Sequence, residues 1–111
     1  MNINEISRFI TLDWDNIKIG EAEARTKSLY ENHPNIKRIR LHESPTKGYH
    51  CRIEFRYPVR IASARLALGD DCRRLCHDIL NRPENIHDIL WSYKVIKGTK
   101  FCTKELLDYS R

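Results

Sequence analysis

Two carboxylates one residue apart, Asp13 and Asp15, form the first pattern in the chain that could take part in catalysis. On an extended strand, side chains at positions i and i+2 point the same way, so the pair could hold Mg²⁺ or Mn²⁺ for phosphoryl transfer. The same spacing also arises where a strand ends and an aspartate caps the next helix. The favoured interpretation is a strand end followed by a helix cap. No cofactor is expected, and Mg²⁺ or Mn²⁺ would be required only if the chain is an enzyme.

Basic residues are concentrated between Ile36 and Arg60. This stretch holds seven cations and two carboxylates, whereas the rest of the chain is balanced, so it carries the whole net charge of +5. A local excess of this kind is typical of a surface that binds phosphates. The residues expected to contact a nucleic-acid backbone are Arg38, Arg40, His42, Lys47, His50, Arg52 and Arg56.

The remaining chemistry-bearing residues point to no further site. The cysteines at positions 51, 72, 76 and 102 lack the C-x-x-C spacing of zinc sites, so no metal site is predicted. Cys51, Cys72 and Cys76 are expected to be buried core thiols instead. No G-x-S-x-G, P-loop or G-x-G-x-x-G motif occurs, so the sequence gives no support for nucleophilic catalysis.

Alternation of apolar and polar residues predicts three strands in the first half of the chain, over residues 8–14, 36–42 and 49–57. An amphipathic helix is predicted over residues 17–32, with Asp15 and Asn16 turning the chain and capping the helix. Pro45 and Gly48 mark a turn, so the second and third strands should form a hairpin.

The second half of the chain shows helical spacing in two segments. A helix over residues 59–68 stops at Gly69, and Asp70 is a plausible N-cap for a second helix that follows. Its expected inward residues are Cys72, Leu75, Cys76, Ile79 and Leu80. Residues 89–96 are predicted to be a strand, and residues 103–109 a short closing helix.

The order βαββαβ indicates a ferredoxin-like α+β domain, with helices on one face of a four-stranded antiparallel sheet. The first and third strands of that arrangement are central. The open face should carry Asp13 and the cations of the second and third strands, whereas Tyr49 and Tyr57 alternate onto the apolar face. It therefore lacks the aromatic pair with which RNA-recognition modules stack bases, and we expect contacts to the backbone. The alternative is a solvated face with ion pairs such as Asp13 with Arg52.

The segment Ser44-Pro45-Thr46-Lys47-Gly48-Tyr49-His50 resembles the turn-then-strand motif of archaeo-eukaryotic primases, whose strand bears a phosphate-contacting histidine. That family also carries a D-x-D on an earlier strand of an RNA-recognition-like fold. The resemblance implies catalytic roles for Asp13, Asp15 and His50. The chain is also similar to small proteins of archaeal viruses and plasmids, in which a Gly-Tyr-His strand precedes a Leu-Gly-Asp-Asp helix start, here Leu68 to Asp71.

A chain of 111 residues is expected to form one domain, residues 1–111. It has neither a secretory signal nor a run of about 20 apolar residues, so a cytoplasmic location (the host cytoplasm if the protein is viral) and no membrane partner are expected. The favoured function is binding of a DNA or RNA backbone, in viral or plasmid replication. The alternatives are a homodimeric protein-interaction module and a small metal-dependent phosphotransfer or nuclease-like enzyme.

Overall fold

The computed structural model describes residues 5–44, 48–70, 73, 75–76, 80, 93–96, 99–102 and 104–111. The elements in chain order are β1 (Ile6–Trp14), α1 (Ile19–Asn32), β2 (Ile36–Glu43), β3 (Tyr49–Arg60), α2 (Ile61–Ala67), β4 (Tyr93–Ile96), β5 (Thr99–Cys102) and β6 (Lys104–Ser110). Four strands form one sheet in the order β1-β3-β2-β6, in which all neighbours are antiparallel. β4 and β5 form a separate two-stranded sheet. The predicted α+β class is therefore confirmed.

The core lies on one face of the four-stranded sheet. Alternate residues of β1, β2 and β3 supply it, because successive side chains of a strand point to opposite faces. The helices add a few residues, among which Thr26 satisfies its hydroxyl by donating to the Ala22 carbonyl at 2.8 Å. The buried apolar set is Ile10, Leu12, Trp14, Ala22, Ile36, Ile39, Leu41, Cys51, Ile53, Phe55 and Ile61.

The hairpin of β2 and β3 is confirmed, and it closes where Glu43 lies opposite Tyr49. The N–H of Ser44 donates to the Gly48 carbonyl at 3.0 Å across the turn. The predicted cap of α1 is wrong. Asn16 turns the chain with a φ of 58°, and the extended residue before α1 is Lys18, which makes no side-chain capping bond.

The prediction of a helix over residues 103–109 is wrong, because residues 104–110 form strand β6 along the edge of β2. The register shifts beside Leu41, which lies opposite Leu107, while the next residue, His42, lies opposite Glu105. Leu106 is the extra residue of this bulge. Two adjacent leucines are both partly buried as a result, and this interrupts the alternation that identifies a strand in sequence.

The ferredoxin-like strand order is not confirmed. β2 is central between β3 and β6, and β1 is at the edge, whereas the expected order places the first strand at the centre and the second at the edge. The physical reason is that β6 pairs with the outer edge of β2. The strand predicted at 89–96 appears as Tyr93–Ile96, which pairs with β5 and not with the main sheet. Residues 89–92 lie outside the described residues.

The helix predicted over residues 59–68 begins only at Ile61, because Val59 and Arg60 still pair with the start of β1. Arg73, Leu75, Cys76 and Leu80 are helical, as predicted. Cys51 is buried as expected, but Cys76 is exposed, because neighbouring Leu75 takes the inward position. The side chain of Cys72 and the first turn after Asp70 lie outside the described residues. No described helix has the length and apolar character that a membrane crossing requires.

A buried ion pair fastens the segment after α2 to the end of β1. Arg65 and Asp70 are both buried, and the Arg65 Nε donates to the Asp70 carboxylate. The other carboxylate oxygen accepts the backbone N–H of Asp13 at 2.8 Å. The indole of Trp14 donates to the Gly69 carbonyl at 3.1 Å. Two polar contacts therefore hold the end of β1 against Gly69 and Asp70, and the ion pair ties Asp70 to Arg65 of α2.

Candidate functional site

The sheet face opposite the core, hereafter the polar face, consists of cross-strand rows. Each row takes one residue from each strand in the order β1, β3, β2, β6, as set by the pairing registers. The first row contains two histidines between two carboxylates, the second contains two arginines, and the third begins with an aromatic ring. The rows are Asp13-His50-His42-Glu105, Thr11-Arg52-Arg40-Asp108 and Phe9-Glu54-Arg38-Ser110.

The second row places Arg52 directly opposite Arg40 on the two central strands. Opposed like charges on a sheet destabilise it. Arg40 lies 3.9 Å from the Glu105 carboxylate, which is a loose contact. Arg52 is half-buried, forms no ion pair with any described carboxylate, and keeps its Nε buried without a hydrogen-bond partner among the described residues. Arg52 therefore needs an acceptor that the described residues do not supply.

Arg38 in the third row is already neutralised. Its guanidinium donates two hydrogen bonds to Asp108, at 3.0 Å from Nε and 2.6 Å from Nη2. This bidentate pairing lowers the pKa of Asp108 and raises that of Arg38, because each charge stabilises the other. Glu54 is likewise engaged by two cations, Arg8 at 3.3 Å and Lys37 at 3.7 Å. The third row offers no free charge comparable to Arg52.

A shallow pocket of about 140 Å³ lies over the second and third rows. Three arginines and one aromatic ring line it, together with the neighbouring strand residues. The pocket is open to solvent on the polar face. Its lining residues are Phe9, Ile10, Thr11, Arg38, Arg40, Arg52, Ile53 and Glu54.

The first row brings two buried histidines together at the end of the polar face. His50 Nε2 lies 3.8 Å from the Asp13 carboxylate, and His42 Nε2 lies 3.7 Å from Glu105. The pKa of His42 is lowered, first by burial and then by the nearby positive charges of Arg52 and Arg40, which together outweigh the effect of Glu105. His42 is consequently held in its neutral form more strongly than a free histidine.

Stability should depend on pH through His42. A histidine whose folded pKa is lowered binds its proton more readily in the unfolded chain, so its contribution is complete above the ordinary value of 6.5. That contribution is lost as the pH falls below 6.5. We expect the free energy of unfolding in urea to fall between pH 7.5 and 5.5, and His42→Gln to reduce this fall. Equal pH dependence in the two proteins would contradict the assignment.

The three residues of the suggested catalytic set meet only in part. Asp13 and His50 lie opposite each other and in contact, as their strand register dictates. Asp15 lies beyond the end of β1, exposed beside Gly48, and shares with Asp13 a pocket that does not include His50. Within the described part of the chain, no three histidine, cysteine or acidic residues are grouped closely enough to hold a metal ion.

The other predicted binding residues divide into three groups. Arg38, Arg40, His42, His50 and Arg52 share the polar face as expected. Arg56 is exposed and follows the last residue of β3 that pairs with β2, so it stands apart from the rows. Lys47 lies outside the described residues. The alternative ion pair of Asp13 with Arg52 is wrong, because Asp13 lies opposite His50 while Arg52 lies opposite Thr11.

Two carboxylates of the polar face, Glu105 and Asp108, are missed when the C-terminal segment is assigned as a helix. On β6 they face the cations of β2. The three rows thus hold three arginines and four carboxylates, so the basic character is confined to the Arg40–Arg52 centre. The spacing of Glu105 and Asp108 around the bulge at Leu106 hides their common face in sequence.

Comparison of the chain with protein-family models, curated proteins and solved structures gave no match.

Proposed function

We propose that this protein binds the phosphate backbone of nucleic acid through the polar face, with Arg52 and Arg40 as the anion-binding centre. The observation that carries the proposal is the state of Arg52. It is a half-buried guanidinium without a carboxylate partner among the described residues, directly opposite a second arginine. An arginine presents a planar fork of donors that matches the oxygens of a phosphate.

A bound phosphate would relieve both unfavourable features of this centre. Its oxygens would accept hydrogen bonds from the half-buried Arg52 guanidinium, and its negative charge would offset the repulsion between Arg52 and Arg40. The alternative is that water satisfies Arg52 and the face is merely solvated. The two explanations differ in outcome, because only the first predicts that a specific pair of arginines controls nucleic-acid affinity.

Removing Arg52 should weaken binding more than removing any other cation of the face. The loss of one charge-assisted hydrogen bond corresponds to about a 10- to 100-fold fall in affinity. We expect this loss for Arg52→Ala, a smaller one for Arg40→Ala, and little change for Arg38→Ala, since Asp108 already holds that guanidinium. Binding of a labelled 20-nucleotide DNA strand, in titrations at several salt concentrations, measures both affinity and salt dependence.

The double variant Arg40→Ala/Arg52→Ala should also flatten the dependence of log K on log salt, by about 0.7 per lost contact on a single strand. Arg60→Ala serves as the matched control, because Arg60 is exposed and stands outside the three rows. Unfolding in urea would verify that each variant remains folded. Equal affinities and slopes for wild type and double variant, or no binding by wild type at low salt, would overturn the proposal.

A further inference from the structure

We propose that Phe9 is a stacking platform for a nucleic-acid base, so that the ligand of the polar face is single-stranded and not duplex. This inference rests on the phosphate-binding centre proposed above and adds the second half of a nucleotide-binding unit. The sequence pattern places no aromatic pair of the kind found in RNA-recognition modules on the polar face of the central strands. The structure places a single ring at the edge strand instead, beside the arginines.

Phe9 lies on the polar face next to the anion-binding centre. Thr11 is the direct partner of Arg52, and Phe9 is two residues away from Thr11 along β1, a separation of about 7 Å. Phe9, Arg52 and Arg40 line one and the same pocket. A ligand that places an anion against the two arginines therefore has an aromatic surface within the same cavity.

The ring of Phe9 is exposed to solvent, and packing against its neighbours does not account for this exposure. Phe9 is 52% exposed, although apolar rings are usually buried and its neighbours on the face are polar. It follows directly after an irregularity in the β1–β3 pairing, where its N–H donates to the Ser7 hydroxyl at 3.0 Å. The irregularity interrupts the pairing beside Phe9 before it resumes at Ser7.

A nucleotide of a single strand matches this combination of groups. Its phosphate supplies the anionic partner that Arg52 lacks among the described residues, and its base offers a flat π surface for the ring. Every base has such a surface, so the contact tolerates any sequence. In a duplex the bases are already stacked on one another, which leaves only their phosphates for the arginines. Phe9 therefore distinguishes single strands from duplexes.

The experiment compares two ligands of equal charge, a 20-nucleotide oligothymidylate and an abasic deoxyribose-phosphate oligomer of the same length. Loss of one stacked base corresponds to about a 5- to 150-fold fall in affinity. We expect Phe9→Ala to lose this amount for oligothymidylate and nothing for the abasic oligomer, whereas Phe9→Tyr should retain wild-type binding. Tyr57→Ala is the matched control, because Tyr57 is 57% exposed but does not line the pocket.

A Phe9→Trp variant provides a second readout, since oligothymidylate should quench its added fluorescence and the abasic oligomer should not. Equal weakening of both ligands by Phe9→Ala would overturn the stacking role while leaving the phosphate centre intact. If Phe9→Ala binds oligothymidylate as wild type does but shows altered self-association in sedimentation, Phe9 is instead a contact between two copies of the protein, and the stacking role is overturned. Both proposals are supported together if Arg40→Ala/Arg52→Ala loses affinity for both oligomers and Phe9→Ala loses affinity for oligothymidylate alone.

Discussion

Replacing Asp70 with alanine should lower the free energy of unfolding by about 3 to 5 kcal/mol, the largest effect we expect from any single substitution in the described residues. The carboxylate is buried with the guanidinium of Arg65. Its removal deletes the carboxylate that pairs with the buried Arg65 guanidinium, and it also removes the acceptor of the Asp13 N–H. Urea unfolding monitored by circular dichroism measures the change.

A double variant separates the cost of burying the Arg65 charge without the Asp70 carboxylate from the loss of the other contacts. Arg65→Met/Asp70→Asn removes both charges, and the asparagine carbonyl still offers an acceptor to the Asp13 N–H. It should therefore be more stable than Asp70→Ala. Lys27→Ala is the control, since it breaks an exposed pair with Glu31 and should cost no more than about 0.5 kcal/mol. A loss below 1 kcal/mol in Asp70→Ala would show that the pair does not hold this part of the fold.

Gly48→Ala is expected to destabilise the protein by about 2 to 4 kcal/mol, for two separate reasons. Gly48 has a φ of 84°, a conformation that costs a residue with a Cβ about 1 to 2 kcal/mol. The added Cβ would also lie 2.8 Å from the carbonyl oxygen of Trp14 and against the Asp15 carboxylate. The carboxylate can rotate away, but the backbone oxygen of β1 can move only with its strand.

Gly69 supplies the matched control for Gly48. Its φ is 89°, yet nothing lies within 4 Å of the position that a Cβ would occupy. Gly69→Ala should thus cost only the conformational term, and the difference between the two variants isolates the collision with Trp14. Measurement of both in the same urea titration tests this. Equal losses in Gly48→Ala and Gly69→Ala would mean that the hairpin turn shifts freely away from β1.

Local alternation predicted β1, β2 and β3 and the face that each residue takes, because these strands each have one apolar side. It therefore also predicted the shared face of Arg38, Arg40 and Arg52. Strand order is set by pairing between distant segments, and residue-by-residue patterns carry little information about it. The bulge at Leu106 removed the one local signal for β6, so its two carboxylates and the neutralisation of Arg38 could not be predicted.

The edge of β2 that β6 covers is at risk of aggregation during folding, and the arginines of β2 protect it. The pairing of β2 with β6 joins residues about 70 positions apart, as in Arg38 and Asp108, whereas β2 and β3 are joined by a short turn. Closing the longer loop costs more chain entropy, so β6 is the neighbour that β2 acquires least readily. While β6 is detached, β2 exposes unpaired backbone groups to other chains. Arg38 and Arg40 then line that bare edge, and their repulsion discourages a second copy from adding its own strand there.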